Sequence, residues 1–500
     1  MAYRKMYSTG KRKSSIVFQI CFFEFLFFVF CINFFFFFFF FNIHLFLLLL
    51  LFFLSFSLII GKLASKNKSY YDWSSEFYTV LRTRVSKRLR ALKKPRRGSY
   101  EIWIKAIVLL IIFWSSLISM CLSETYTYSL ISSIIMGGTA SFIGTCIQHD
   151  GSHGAFSTSS WLNTCAGWTL DMIGASAFTW EIQHMLGHHP YTNLISTENE
   201  AKKINSENNN VSGQSQESDP DIFSSFPFMR MHPSHNRLWY HKYQYMYGPL
   251  LFSMMTLMKV FQQDFEMYNN KNLYHISASA RYGNNDKKDT AAAATNSSIV
   301  LNRIRFVSMK VLSMIYMLIL PMYYQGVVYG LLLFTIGHLV CGEMLAMMFI
   351  VNHVIEGVAF VKEEILPTNI YGIVPSQKQS ESNENELKGS TSVLKFKKGI
   401  PANDWAAVQC QTSVNWSSGS WFWNHFSGGL NHQIEHHLFP SICHTNYYYI
   451  QDIVEDTCRE YNVPYRSESN LFVAIKKMLL HLKVMGEHDS HESFYVDELH

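Results

Sequence analysis

Four stretches of this sequence, 103–122, 127–147, 306–325 and 327–351, are each about as long as a bilayer is thick and almost free of charge. A helix that crosses a membrane needs about 20 apolar residues, because every backbone polar group must find its partner inside the segment. A longer apolar run fills 16–60 and includes eight consecutive Phe at 34–41. The overall hydrophobic content, 48%, is one that soluble proteins also reach, so it is the clustering into runs that sets the class. The expected architecture is all-α and polytopic: four core membrane helices, interfacial helices beside them, and a helical cap.

Sidedness follows from charge. Residues 82–97 read RTRVSKRLRALKKPRR, nine basic side chains and no acid. Such a cluster directly before an apolar span marks the cytosolic side of a membrane more readily than a nucleic-acid patch. Counting spans from there, 148–305 and everything after 352 return to the cytosol, and so do all the notable histidines. Segments 160–178 and 245–261 are half-apolar and too short to cross, so they read as interfacial or re-entrant. Nine scattered cysteines with no C-x-x-C give neither a disulfide framework nor a thiolate metal site.

The chain divides into a Phe-rich segment (1–65), a basic pre-membrane segment (66–102), a main domain (103–475) and a tail (476–500). Three polar, low-complexity insertions interrupt the domain at 196–218, 268–299 and 376–390, and none can supply a packed core. The Phe-rich segment reads as a signal anchor, a two-span hairpin, or translated non-coding sequence. A cleaved signal peptide would have an apolar core of only about 7–15 residues.

Chemistry concentrates in three histidine clusters: HDGSH (His149, His153), HMLGHH (His184, His188, His189) and HQIEHH (His432, His436, His437, with Gln433). On a helix, residues i and i+4 share a face and can reach one metal ion. Adjacent residues are splayed by about 100° and can serve two. Together the clusters offer donors enough for two metals, and imidazole suits iron, copper or zinc. A zinc peptidase would carry H-E-x-x-H, whereas 184–188 reads HMLGH. Redox-active iron fits better beside a bilayer.

At this point the sequence resembles a known family. HDGSHGAFS, W-x-x-x-HMLGHHPYTN, WYHKYQYMYGPLLF, FIVNHVIEGV and the long run DWAAVQCQTSVNWSSGSWFWNHFSGGLNHQIEHHLFP are similar to the membrane fatty acid desaturases. Gln433 at the head of the third box resembles the front-end subgroup, which inserts a double bond between an existing one and the carboxyl end. The resemblance spans about 70–475, less the insertions. It implies a diiron site in the cytosolic cap with ligands at His149, His153, His184, His188, His189, His436 and His437, and an extra ligand at His353. Gln433 and His432 stand where a metal contact or an orienting role is open. Asp150, Asp171, Glu181 and Asn193 are candidates for fixing imidazole tautomers. Trp180, Trp416, Trp421 and Trp423 are candidates for lining the acyl tunnel.

The implied reaction uses O2 and two electrons to remove two hydrogens from an acyl chain, carried as acyl-CoA or phospholipid, with delta-5 favoured over delta-6. The implied setting is the endoplasmic reticulum membrane. Many front-end enzymes carry a fused cytochrome b5 domain marked by HPGG, and no HPGG occurs among the 500 residues. Electrons are therefore expected from a separate cytochrome b5 and its NADH reductase. Rival readings are a His-box hydroxylase, a catalytically silent relative, and a metal transporter. The last would need polar or acidic residues inside its spans, where the charged and histidine positions of 306–325 and 327–351 are only Lys310, His338 and Glu343.

Overall fold

The computed structural model describes residues 72–195, 219, 221–222, 225–232, 235–269, 304–359, 361–362 and 404–487. The Phe-rich segment, nearly all of the insertions and the last residues of the tail lie outside the described residues. Four helices are long and apolar enough to cross a membrane: Tyr100–Leu122, Tyr126–Ser152, Ile304–Gln325 and Val327–Asn352. They coincide with the four expected runs, and the second extends furthest beyond its run, through the first histidine box.

The spans start and turn where local chemistry demands. Ser99 caps the first, its hydroxyl accepting from the Ile102 amide at 3.3 Å. Gln325 ends the third span and donates to the carbonyls of Cys121 and Ser123 at 2.8 and 2.9 Å, closing the far ends together. The second and fourth spans cross with their backbones touching: a Cβ added at Gly137 would run into the carbonyl group of Gly337. Small residues are what allow such approach in lipid, where apolar burial drives no association. Outward faces carry exposed Ile104, Val108, Ile111, Ile131, Val311 and Leu331. Water would not tolerate that contiguous apolar surface, and lipid does.

Beyond the spans lies the cap. Helix Glu76–Ala91 buries Phe77, Leu81, Val85 and Leu89, one residue per turn, against Ile434, Leu438, Ile450, Val454 and Cys458. The basic residues of 82–97 occupy its other face and the turn that follows. Segment 160–178 forms short helices Ser160–Gly167 and Thr169–Met172 and the start of Ala177–Trp180. Helix Leu471–Glu487 runs through position 475, where the sequence suggests a domain edge. It packs Ala474, Met478 and Leu482 against Phe252, Ala346, Val354 and Trp416. Two small parallel pairings pin the cap's loops. Strand β1 (Leu194–Ile195) pairs with β2 (Val361–Lys362), and β3 (Asn415–Trp416) with β4 (Ser467–Glu468).

Candidate metal centre

Each histidine box sits where a helix changes character. The second span widens from α to π turns over Ile143–Gln148, so that His149 starts a one-turn helix and His153 closes it. The second box lies in a π segment, Glu181–His188, with the His189 amide bonded to the His184 carbonyl five residues back. This differs from the α-helical spacing read from sequence. The wider turn lets His188 and His189 straddle His184, and inserted π turns of this kind recur at functional sites. His353 follows a 3-10 turn at the end of the fourth span. His436 and His437 ride on helix Gln433–Leu438, which is entered through Gly429 at φ +82. That backbone region favours glycine, and a Cβ there would collide with the side chains of His444 and Tyr447.

The fold brings these distant rings into two buried groups. His149, His153, His184 and His436 offer nitrogens that all lie within 4.8 Å of one another, as do His188, His353 and His437. His189 lies between the groups, its ring centroid 4.7 Å from His436 and 4.6 Å from His437. The two groups thus stand side by side, each able to hold one metal ion.

Hydrogen bonds at the far nitrogens set the tautomers. His184 Nδ1 meets Asp221 at 2.5 Å and His188 Nδ1 meets Asp219 at 2.7 Å. His353 Nδ1 donates to the Thr412 carbonyl at 3.0 Å and His437 Nδ1 to Gln409 Oε1 at 2.8 Å. His436 Nδ1 lies 3.3 Å from the Tyr447 hydroxyl. With the proton held at Nδ1, Nε2 is left as a bare lone pair. The Nε2 atoms of His149, His153, His188 and His436 are buried without any hydrogen-bond partner, as is His189 Nδ1. Buried polar atoms are almost always satisfied, so orphaned nitrogens converging from several elements mark a site built for a cation. Second-layer acceptors of this kind are what fix imidazoles on a metal.

Electrostatics favour the neutral form of most of these rings. Burial pushes His153, His189, His436 and His437 well below the ordinary histidine value, and repulsion among neighbouring rings adds to it. Burial would also lower His188, but the Asp219 carboxylate outweighs it and holds that ring above its ordinary value.

Other expected residues fall into distinct places. Gln433 Nε2 sits 2.9 Å from His353 Nε2 and 3.2 Å from His437 Nε2, while its carbonyl accepts from Asn352 at 3.2 Å. His432 is outside both groups: Nδ1 meets Asn424 Oδ1 at 3.0 Å, and Nε2 accepts from the Gly419 amide at 3.4 Å. Asp150 contacts His444, not a box imidazole. Asp171 accepts from the Ala177 amide and faces Arg305 at 3.9 Å. Asn193 donates its amide N–H to Asp219 at 2.9 Å and its side chain to the His353 carbonyl at 3.2 Å. Glu181 opens the π segment. Trp180 stacks on His184 at 4.2 Å. Trp416 is fully buried in the core around Met478 and meets Trp423 edge-on, and Trp421 is exposed against His425. Sequence reasoning missed Asp219, Asp221, Gln409, Thr412 and Tyr447. The only signal for the first two was the acidic pair in DPDIF at an insertion's edge.

Comparison with known proteins agrees with this geometry. A family model for fatty acid desaturases matches residues 125–469. An "Acyl-lipid (8-3)-desaturase" of Physcomitrium patens is 32% identical over 430 residues, covering 85% of this chain and 75% of that one. A "Delta(5) fatty acid desaturase A" of Dictyostelium discoideum is 28% identical over 432 residues, 85% and 78% of the two chains. An "sn-1 linoleoyl-lipid 6-desaturase" of Synechocystis sp. is 23% identical over 415 residues, 82% and 96%. No solved structure matches. With spans, paired histidine groups and relatives in agreement, the chain belongs to the fatty acid desaturase family of O2-using membrane oxidoreductases.

Proposed function

We propose that the chain is a front-end acyl-lipid desaturase with delta-5 regiochemistry, placing a cis double bond on the carboxyl side of an existing one. The observation that carries the reading is the pair of adjacent, buried histidine groups with orphaned nitrogens. Nitrogen donors of this kind suit iron. His149, His153, His184 and His436 would hold one ion and His188, His353 and His437 the other, with His189 between them and Gln433 orienting His353 and His437. Iron bound there would supply the O2-dependent removal of hydrogen from an unactivated chain.

The protein's own part is positional. Asp219, Asp221, Gln409, Thr412 and Tyr447 hold the far-nitrogen protons of His188, His184, His437, His353 and His436, and burial excludes water. Trp180, stacked on His184, is where an acyl chain would lie beside the centre, whereas Trp416 is packed into the core and Trp421 is exposed against His425. Delta-5 regiochemistry is favoured by the relatives named for it. The relatives named for acyl-lipid or linoleoyl-lipid substrates favour a lipid-bound chain over acyl-CoA. Cytochrome b5 and its NADH reductase supply the electrons. The setting is the endoplasmic reticulum membrane with the centre facing the cytosol, a sidedness supported by the basic run before the first span.

Expression in yeast fed polyunsaturated precursors, with gas chromatography of the methyl esters, tests this. A new double bond on the carboxyl side is expected. A hydroxylated product, or a bond on the methyl side, would overturn the reading, and a delta-6 product would overturn the regiochemistry alone.

A further inference from the structure

One short element touches the first histidine group at His436 and, beside it, Asp150, the residue after His149. The 3-10 segment His444–Tyr449 follows the third box. At its start, His444 Nδ1 lies 3.0 Å from Asp150 Oδ2, and its backbone N–H reaches the same oxygen at 3.2 Å. Asp150 is the residue after His149, and its carbonyl accepts from the Ala155 and Phe156 amides, closing the loop that follows His153. At the segment's centre, the Tyr447 hydroxyl lies 3.3 Å from His436 Nδ1 and 3.4 Å from the Phe439 carbonyl. That hydroxyl has one proton; given to Phe439, it leaves the oxygen to accept from His436 and Nε2 bare. Among the described residues, no hydrogen bond or ring contact of this segment reaches His188, His353 or His437.

A lysine fixes the direction of the first contact. Lys105 Nζ, from the first span, lies 2.9 Å from His444 Nε2 and donates to the His425 carbonyl at 2.7 Å. An ammonium only donates, so Nε2 accepts and the His444 proton sits on Nδ1, toward Asp150.

We propose that His444–Tyr449 is the template for the first metal position only, with His444 and Tyr447 as positioning residues acting through Asp150 on His149 and directly on His436. This rests on the reading that the two groups hold iron. His444→Ala and Tyr447→Phe, purified as the full chain with iron supplied, are each expected to lose iron from one of two positions. In Mössbauer spectra one of two iron components should weaken or shift while the other stays. Turnover should fall about 10–100-fold in kcat with little change in KM. Gln409→Ala, which removes the acceptor on His437, should affect the other component. Should His444→Ala fail to fold, Tyr447→Phe removes a single hydroxyl and carries the test alone.

Variants that keep both components unchanged, or lose both in equal measure, overturn the template while leaving the metal centre standing. So do Tyr447→Phe and Gln409→Ala acting on the same component. Wild-type protein that binds no iron overturns the metal reading, and the template with it.

Discussion

Replacing Asp219 with asparagine removes one charge and almost no volume from the wall of the second histidine group. Asp219 is buried, and three donors converge on it. Its Oδ2 takes the His188 Nδ1 proton at 2.7 Å and the Asn193 amide at 2.9 Å, and its Oδ1 takes the Asp221 amide at 3.1 Å. An asparagine has one acceptor oxygen. Turned toward His188 and Asn193, it presents NH2 to the Asp221 amide; turned the other way, it presents NH2 to His188. Either orientation leaves a buried donor facing a donor. A hydrogen bond to a charged group contributes about 1.5–3 kcal/mol, and about 1.4 kcal/mol is a factor of ten in binding. Metal affinity at this position should therefore fall roughly 10–100-fold, the range seen when such supporting groups are lost. Chelator competition on purified protein measures it, with turnover in microsomes as a second readout. Asp456→Asn, at a solvent-exposed carboxylate paired with Arg459, serves as control. An Asp219→Asn protein that yields its iron no faster than this control would refute the argument that tautomer and charge at His188 sustain the site.

Three further outcomes follow from the same geometry. His436→Ala should abolish turnover, whereas His432→Ala should keep both metal positions occupied, because both its ring nitrogens are committed to Asn424 and Gly419; metal analysis of the two variants decides it. In metal-free protein, burial holds His153, His184, His189, His353, His436 and His437 well below 6.5. The unfolded chain takes up protons there that the folded one refuses, so the thermal midpoint should drop as pH falls through about 6.5, and a flat profile from pH 7.5 to 5.5 would contradict it. Gly137→Ala forces a methyl group into the Gly337 backbone and should cost about 1–3 kcal/mol, read as a lower unfolding temperature in detergent.

How much of this was legible beforehand depended on how locally each feature is determined. Bilayer thickness dictates span length, so 103–122 and 327–351 were readable as runs. Ligand spacing dictates the boxes, so His184, His188 and His189 stood out together. The π turn beneath them was not readable, since it depends on how the segment packs. His432 and His436 lie on the same side of the third box by count, yet one faces Asn424 and the other the metal group. Only the tertiary fold chooses between them. The acceptors behind the rings come from segments remote in sequence: Gln409 reaches His437 from its own short helix, and Thr412 offers a backbone carbonyl. A carbonyl has no sequence signature at all.

The insertions make the same point from the other side. Described residues on the two sides of each polar tract are in contact. Asn193 donates its amide to Asp219 across the first; Tyr268 stacks on Phe306 at 4.3 Å across the second; the Ala359 amide reaches the Gln411 carbonyl at 3.0 Å across the third. A loop whose ends are already joined by the folded core adds closure entropy only slowly with length, so tracts of low complexity can lengthen without loosening what they interrupt. The residues that close them are not idle, because Asp219 holds His188, and Asn193 also ties the His353 carbonyl. The metal centre is therefore built partly from the stumps of its own insertions, where a reading by composition assigns no chemistry. Trimming 196–218 while keeping Asn193 and Asp219 should leave the site intact, whereas a cut that takes either stump should not.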